Sequence, residues 1–422
     1  MRQVQRWNAA GAMLALVAVV SFIPAASSSA TPSTDGAGGG AVIDYSGPNI
    51  GCPARITTGS DGALWFTNTC SPAGATVGRI TTVGAATDYV VPGTVSFDIT
   101  SGPDGALWFT VGGAVDRLTT AGALTSYGIR QQPYTLGITS GPDGALWFTN
   151  DGYYSADSVG RITTSGGVTQ YSLPPPINFP NYITVGSDGA LWFGAGSAIG
   201  RITTSGSLSS YTAPSIDGAS SITAGPDGAL WFANSGDNTI GRITTSGVVT
   251  DYSGHGIDDP QQVAAGPDGA VWFTQSKPGT GAIGEISQTG VVTIYKGTGI
   301  DGPQGITEGP DGELWFTNRG NATIGMAPFN LPLSETSGPA GSAITVSGSA
   351  YAPGELVKVR YLTGLASPRR WRICEATATA TGSFSCSGHI PRGANAGESG
   401  VHILSVVGLT SHVVITAAFT LT

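Results

Sequence analysis

The chain has 422 residues, a formal net charge of −9, 65 glycines and 8% aromatic residues. That length accommodates a large core and more than one domain. An acidic chain with no basic stripe excludes nucleic acid and anionic lipid as natural partners.

In chain order, Arg2 and Arg6 precede an apolar run from Ala9 to Ile23, and Ser28–Ser29–Ala30 offers small residues for cleavage, so residues 1–30 are expected to be a secretory signal. The run is short for a membrane span, which takes about 20 residues. A secreted or extracytoplasmic mature protein with no membrane span is expected. Residues 31–40 are rich in Gly, Ser and Thr and are expected as a flexible linker. Four cysteines in an exported chain imply two disulfides. Position pairs Cys52 with Cys70 at one face of the first repeat. It pairs Cys374 with Cys386 as opposed residues of a hairpin turning near Ala380–Gly382.

From residue 41 to about 330 the chain repeats. Trp65, Trp108, Trp147, Trp192, Trp231, Trp272 and Trp315 recur in nearly the same words, such as Gly-Pro-Asp-Gly-Ala-Leu-Trp-Phe-Thr at 102–110 and 141–149. A period of about forty residues with short strands and turns belongs to propellers. The unit predicts four strands: one before Pro226–Asp227–Gly228, one on Ala229–Phe232, one on Ile240–Thr244 and one on Val248–Tyr252. The glycines are mostly turn residues. A tyrosine ladder closes each unit at Tyr45, Tyr89, Tyr127, Tyr171, Tyr211, Tyr252 and Tyr295. Its first member precedes the first tryptophan, and none follows Trp315. The segment 41–47 is therefore expected to be the outer strand of the last of seven blades, which removes two free edges. The turn aspartates, from Asp61 to Asp311, are expected to serve tight turns. The tryptophans are expected to form inter-blade core, and Arg79, Arg161, Arg201 and Arg242 to be outward blade-surface charge.

Past Leu331 the repeat stops. Val357–Tyr361, Glu375–Thr379 and Val401–Val406 fit strands, so residues 331–422 are expected to form a small β-sandwich. Gly-Ser-Ala-Tyr-Ala-Pro-Gly-Glu at 348–355 resembles the immunoglobulin-like modules of bacterial exported proteins, which implies surface interaction or spacing. The fold class is thus all-β: a seven-bladed β-propeller followed by an Ig-like sandwich.

Ile-Thr-x-Gly-Pro-Asp-Gly-Ala-Leu-Trp-Phe-Thr, then Ile-Gly-Arg-Ile-Thr-Thr-Ser-Gly and the closing Tyr, resemble the repeat of the virginiamycin B (streptogramin B) lyases. The resemblance implies seven blades, bound magnesium, and opening of a cyclic depsipeptide ester by elimination. Such a reaction needs a base for the α-proton and a cation for the developing enolate-like charge. The family pattern in the last blade is Glu-Pro-His before the first strand and Glu after Trp-Phe-Thr. Here those positions are Gly302, Pro303, Gln304 and Asn318, and the preceding blade's histidine position is Gln261. All four ionisable groups are neutral, and whether the chain is an enzyme stays open on this reading.

His255 with Asp258 and Asp259, in the loop joining blades five and six, is the candidate replacement for a base or metal site. Asp151, Tyr153 and Tyr154 in a long loop, with Arg55, Phe97, Tyr134, Tyr182 and Arg319, are the candidate ligand-binding rim, a polar-aromatic pocket with no cationic centre. No metal-binding set is evident, and magnesium is expected only with lyase activity. The leading expectation is an exported propeller that binds a small molecule, glycan or cell-surface protein as a monomer, with little or no catalysis. The alternatives are a magnesium-dependent carbon–oxygen lyase acting on streptogramin B antibiotics, conferring resistance, and a structural envelope protein.

Overall fold

Short runs of β-branched and aromatic residues between Gly- and Pro-marked turns give strands, and every element among the described residues is a strand. The computed structural model describes residues 42–327 except 72–73, 92–95, 130–133, 153–155, 255, 268, 278–280 and 297–298. It further describes 337–422 except 349–353, 363–369, 380–383, 393–399 and 409–413, and the N-terminal pieces 17–21, 28–29 and 31–34. Among these residues no helix is long and apolar enough to cross a membrane.

Seven antiparallel sheets form the propeller, as the repeat count requires. Blade five is representative, with strands Ala219–Ala224, Leu230–Asn234, Thr239–Ile243 and Val249–Tyr252 running from the axis outward. The last blade takes its outer strand from the N-terminal side. Ile43–Ser46 pairs with Thr323–Ala327, setting Tyr45 opposite Ile324 and Asp44 opposite Gly325. Tyr45 stacks on Trp315 at 5.3 Å, the same contact that Tyr89 makes with Trp65 in blade one. The expected ring closure is present.

Three further N-terminal pieces extend the outer edges. Val17–Ser21 lies along Ala123–Tyr127, Ser28–Ser29 along Ala85–Ala86, and Thr31–Thr34 along Ile43–Ser46. The stretch expected as a flexible linker therefore carries a strand at 31–34. An open outer edge offers unpaired N–H and C=O groups, and an extended Thr/Ser segment can satisfy them.

The tryptophans fill the spaces between blades. Trp65, Val77 and Tyr89 of blade one meet Ile99, Leu107 and Phe109 of blade two in one cluster. Complete burial of each indole contributes at most about 4–6 kcal/mol. The turn aspartate explains the words that precede each tryptophan. Asp61 Oδ1 accepts from Trp65 Nε1 at 3.0 Å, and its Oδ2 accepts from Arg79 Nε at 2.7 Å. The same trio recurs through Asp104, Asp143, Asp188 and Asp227 with Arg117, Arg161, Arg201 and Arg242. These arginines are thus not loose surface charge. The register that sets Trp65 opposite Arg79 brings each guanidinium back to the turn. Burial acts to raise the Asp61 carboxyl, but the bonds from Trp65 and Arg79 and the Arg79 charge outweigh it and hold the group below its usual range.

In the C-terminal unit, Leu356–Leu362, Arg370–Thr377, Gly400–Gly408 and Val414–Leu421 form the main sheet, with Ser337–Gly338 at one edge. Ala343–Gly348 pairs with Phe384–His389 in a second. Ile344, Val346 and Phe384 pack against Val359, Tyr361, Leu404 and Phe419 between the two layers. Both expected disulfides are present. Cys374–Cys386 does not span a hairpin, however. Its cysteines lie on strands of different sheets, so the bond staples the two layers.

Candidate functional site

Loops converge on the propeller face where first strands begin and second strands end. The residue just before the first strand is left-handed in five blades: Cys52, Phe179, Gly218, Asp259 and Gly302 have φ between 46° and 69°. Three of them carry side chains despite the steric penalty, so the fold imposes this turn at its mouth whatever the residue.

In four blades the side chain three residues after the second-strand tryptophan holds the interblade loop. Asn318 is fully buried. Its Oδ1 accepts from Asp301 N at 3.2 Å, and its Nδ2 faces Gly299 O at 2.7 Å and Asp44 Oδ1 at 3.0 Å. Asn68, Asn234 and Gln275 take the N–H of Gly51, Asp217 and Asp258 in the same way, each across 17 positions. In blade three Asn150 Oδ1 is buried with no partner among the described residues.

The positions that the resemblance marks as catalytic are therefore occupied structurally or by neutral groups. Asn318 is committed to the loop and to ring closure. Gln261 Nε2 donates to Asp259 Oδ1 at 2.8 Å, and the Gln304 carbonyl accepts from Thr274 Oγ1 at 2.8 Å. Gly302 has no side chain to contribute. Magnesium, which the family implies, favours anionic oxygen ligands, and these residues do not fit it. Asp258 and Asp259 do not converge either. Asp258 forms an exposed ion pair with Lys277 at 2.7 Å, whereas Asp259 folds back onto Gln261 and Ser276. His255 lies outside the described residues, as do Tyr153 and Tyr154, and the Phe97 side chain is likewise not described.

The expected rim separates into an axial group and a peripheral one. Arg55 extends from blade one to the blade-four tyrosine. Its Nε donates to Tyr182 Oη at 2.8 Å, Nη2 donates to the same oxygen, and Nη1 donates to Gln304 O at 3.2 Å. The guanidinium lies over the Tyr182 ring, 4.4 Å from its centroid. A cationic group therefore sits at the channel, where the sequence pattern places none. Tyr134, 41% exposed, remains peripheral, and Arg319 is also exposed. Tyr134 lies opposite Asp151, and the next residue, Gly152, donates to Asp157 Oδ1 at 2.8 Å. Asp157 Oδ2 accepts from the N–H of Phe179, whose side chain is 66% exposed.

Of the first-strand residues that precede the repeated Ile or Val, Asp98, Tyr182, Ser221 and Gln262 line the axial cavity; the equivalent positions in the other blades hold Arg55 and the glycines at 137 and 305. Asp98, Ser221 and Gln262 each accept the N–H of the following blade, from Ile138, Val263 and Ile306. Gly305 permits close approach, since a Cβ there would lie 2.6 Å from Ala54 O. A cavity of about 190 Å³ adjoins Asp98 and Tyr182. Burial pushes the Asp98 carboxyl up to about 6, against the Ile138 N–H and the Arg55 charge. Burial also raises the Tyr182 hydroxyl, against Arg55. Sequence reasoning passed over Asp98, Ser221, Gln262 and Phe179. The available signal was variation: at this one position, repeats that otherwise match carry unlike residues.

A family model, the virginiamycin B lyase family, matches residues 51–255. The chain is similar to a streptogramin B lyase structure at 32% identity and TM-score 0.60, over 68% of this chain and 96% of that one. It is equally similar to a catalytically inactive virginiamycin B lyase from Staphylococcus aureus solved with quinupristin, at 32% identity and TM-score 0.60, over 68% and 97%. PorZ, a surface component of the type-IX secretion system of Porphyromonas gingivalis, shares the fold alone at 12% identity and TM-score 0.53, over 91% and 62%. No curated protein matches the chain.

Proposed function

The chain belongs to the virginiamycin B lyase family, and on that footing we propose that it is an exported propeller whose mouth binds a small molecule, a glycan or a cell-surface partner with little or no catalysis. The carrying observation is Asn318. At a position where the family pattern has an acid, this chain has a buried amide whose bonds hold a loop and the closing strand. Binding needs convergent polar and aromatic groups, which Arg55 and Tyr182 supply at the axis, with exposed Tyr134 and Phe179 at the periphery of the same face. Export is supported by the N-terminal pattern of Arg2, Arg6 and the apolar run, and by two disulfides. The C-terminal sandwich then acts as an Ig-like adhesion or spacer module on a monomeric protein.

A second reading, a magnesium-dependent carbon–oxygen lyase, is favoured by identity to lyase structures along 96% of one of them. It requires a base and cation site rebuilt around His255, Asp258 and Asp259. Mass spectrometry of virginiamycin B incubated with the mature protein, with magnesium or with EDTA, separates the two. Intact antibiotic is expected. A linear product of unchanged mass that disappears with EDTA overturns the binding reading.

A further inference from the structure

Five propeller arginines each lie 2.5–2.7 Å from a turn aspartate, although their side chains retain 21–24% of their exposure. Arg55 is only 8% exposed. Yet among the described residues no carboxylate lies within ion-pair distance of it; its only side-chain bonds run to Tyr182 Oη and Gln304 O. The chain thus gives direct ion pairs to the arginines that water already solvates and none among the described residues to the sequestered one, on which the Asp98 charge acts only from beyond ion-pair distance. A buried charge held by neutral hydrogen-bond acceptors instead of a direct ion pair is costly, and a site that keeps one has a use for it.

We infer that Arg55 is the anchor for an oxyanion, a carboxylate or a phosphate, carried by the ligand that binds at the propeller mouth; this rests on the binding reading above. The guanidinium has five N–H donors in a rigid fork. Three serve the bonds to Tyr182 and Gln304, leaving one N–H on each terminal nitrogen for a ligand. Tyr182 fixes the fork from below through both its ring and its hydroxyl, so little ordering is needed when the anion arrives. The other channel residues at this level, Ser221 and Gln262, are neutral and already accept backbone N–H groups. Asp98 is the one facing carboxylate whose charge is felt together with that of Arg55. Its Oδ2 is held by Ile138 N at 2.9 Å, directed to the next blade.

The test uses the full mature protein and follows the melting temperature and calorimetric titration with sodium acetate, succinate and phosphate. Chloride at equal ionic strength is the baseline. A saturable rise over chloride with at least one oxyanion is expected, and the arm that produces it identifies carboxylate or phosphate as the group recognised. Arg55→Gln is expected to lose the effect, and Arg55→Lys, which keeps charge without the fork, to weaken binding at least tenfold. Tyr182→Phe frees the fork that Tyr182 orders and is expected to weaken the effect without abolishing it, and a cooperative melt of Arg55→Gln in chloride guards against reading misfolding as loss of a site. An oxyanion effect equal in wild type and Arg55→Gln, or none in wild type, overturns the assignment. If the mouth then binds an uncharged glycan, the binding reading survives. Turnover of virginiamycin B, conversely, removes the binding reading and leaves the Arg55 effect standing.

Discussion

Asn318 Nδ2 lies 3.0 Å from Asp44 Oδ1, a hydrogen bond between residues 274 positions apart. Thr323 Oγ1 donates to the same oxygen at 3.0 Å. Blade one builds the same arrangement locally from Asn68, Thr76 and Asp88. The ring is therefore closed by a polar clasp that blade one makes internally and that the last blade makes across the chain ends. Each buried bond contributes about 1 kcal/mol net, and an orphaned partner costs more. Asn318→Ala is expected to destabilise by about 2–3 kcal/mol, and deletion of residues 41–47 to lower the melting temperature sharply. An unchanged melt after the deletion would refute the closure.

Restoring the family's acid at this position has a definite consequence. Asn318→Glu removes an amide donor from buried Asp44 and places a second carboxylate beside it. Stability is expected to fall by roughly 3 kcal/mol. Adding Asp44→Asn returns a donor and should recover part of the loss in denaturant titration. An Asn318→Glu variant as stable as wild type would mean that the clasp is dispensable.

The carboxylates split into two groups with opposite pH behaviour. Burial pushes Asp88, Asp98 and Asp116 up to about 6 from the ordinary 3.8. Between those values the folded state binds more protons than the unfolded chain, so stability falls as pH rises through that window. The five turn aspartates paired with arginine, Asp61, Asp104, Asp143, Asp188 and Asp227, have lowered values; their contribution is present above 3.8 and is lost as pH falls toward acid. The melting temperature is therefore expected to rise from pH 7 to about pH 5 and to drop below about pH 4. Asp98→Asn keeps an acceptor for Ile138 and should flatten the first limb. A melt that climbs steadily from pH 4 to 7 in wild type contradicts the raised group.

Blade seven lacks the arginine of the turn trio. Met326 stands opposite Trp315 where Arg79 stands opposite Trp65. Met326→Arg is expected to pair with Asp311 and to add about 0.2–1 kcal/mol, the usual range for a partly exposed pair. Asp311→Asn in that background should cancel the gain in a double-mutant cycle.

The architecture was legible because it repeats. Seven copies of one phrase specify blades, and an extra tyrosine before the first tryptophan specifies closure through residues 41–47. Spacing alone pairs Cys374 with Cys386, but which sheets they join depends on strand exchange that no local pattern encodes. The trio role of Arg79 and its equivalents was hidden for a related reason. Alternation along a strand gives the direction of a side chain, not the turn it reaches. At the mouth, the substitutions at Gln261, Gly302, Gln304 and Asn318 were visible. Only the folded chain shows that Asn318 is occupied by Asp44 and that Arg55 crosses to Tyr182, because both contacts join distant repeats.

Synthesis begins at the end that closes the ring. Ile43–Ser46 emerges early and waits for Thr323, 279 positions away from Asp44, while the intervening blades pair with their own neighbours. Until then it presents an unpaired edge, and Thr323–Ala327 of another copy offers the same register and the same clasp as its own. Crowded, newly made chains can therefore exchange this strand and close each other's rings, giving a reciprocal dimer that keeps the clasp but must open the connection at 47–50. Dilution during refolding favours the self-closed ring, because only its closure is independent of concentration.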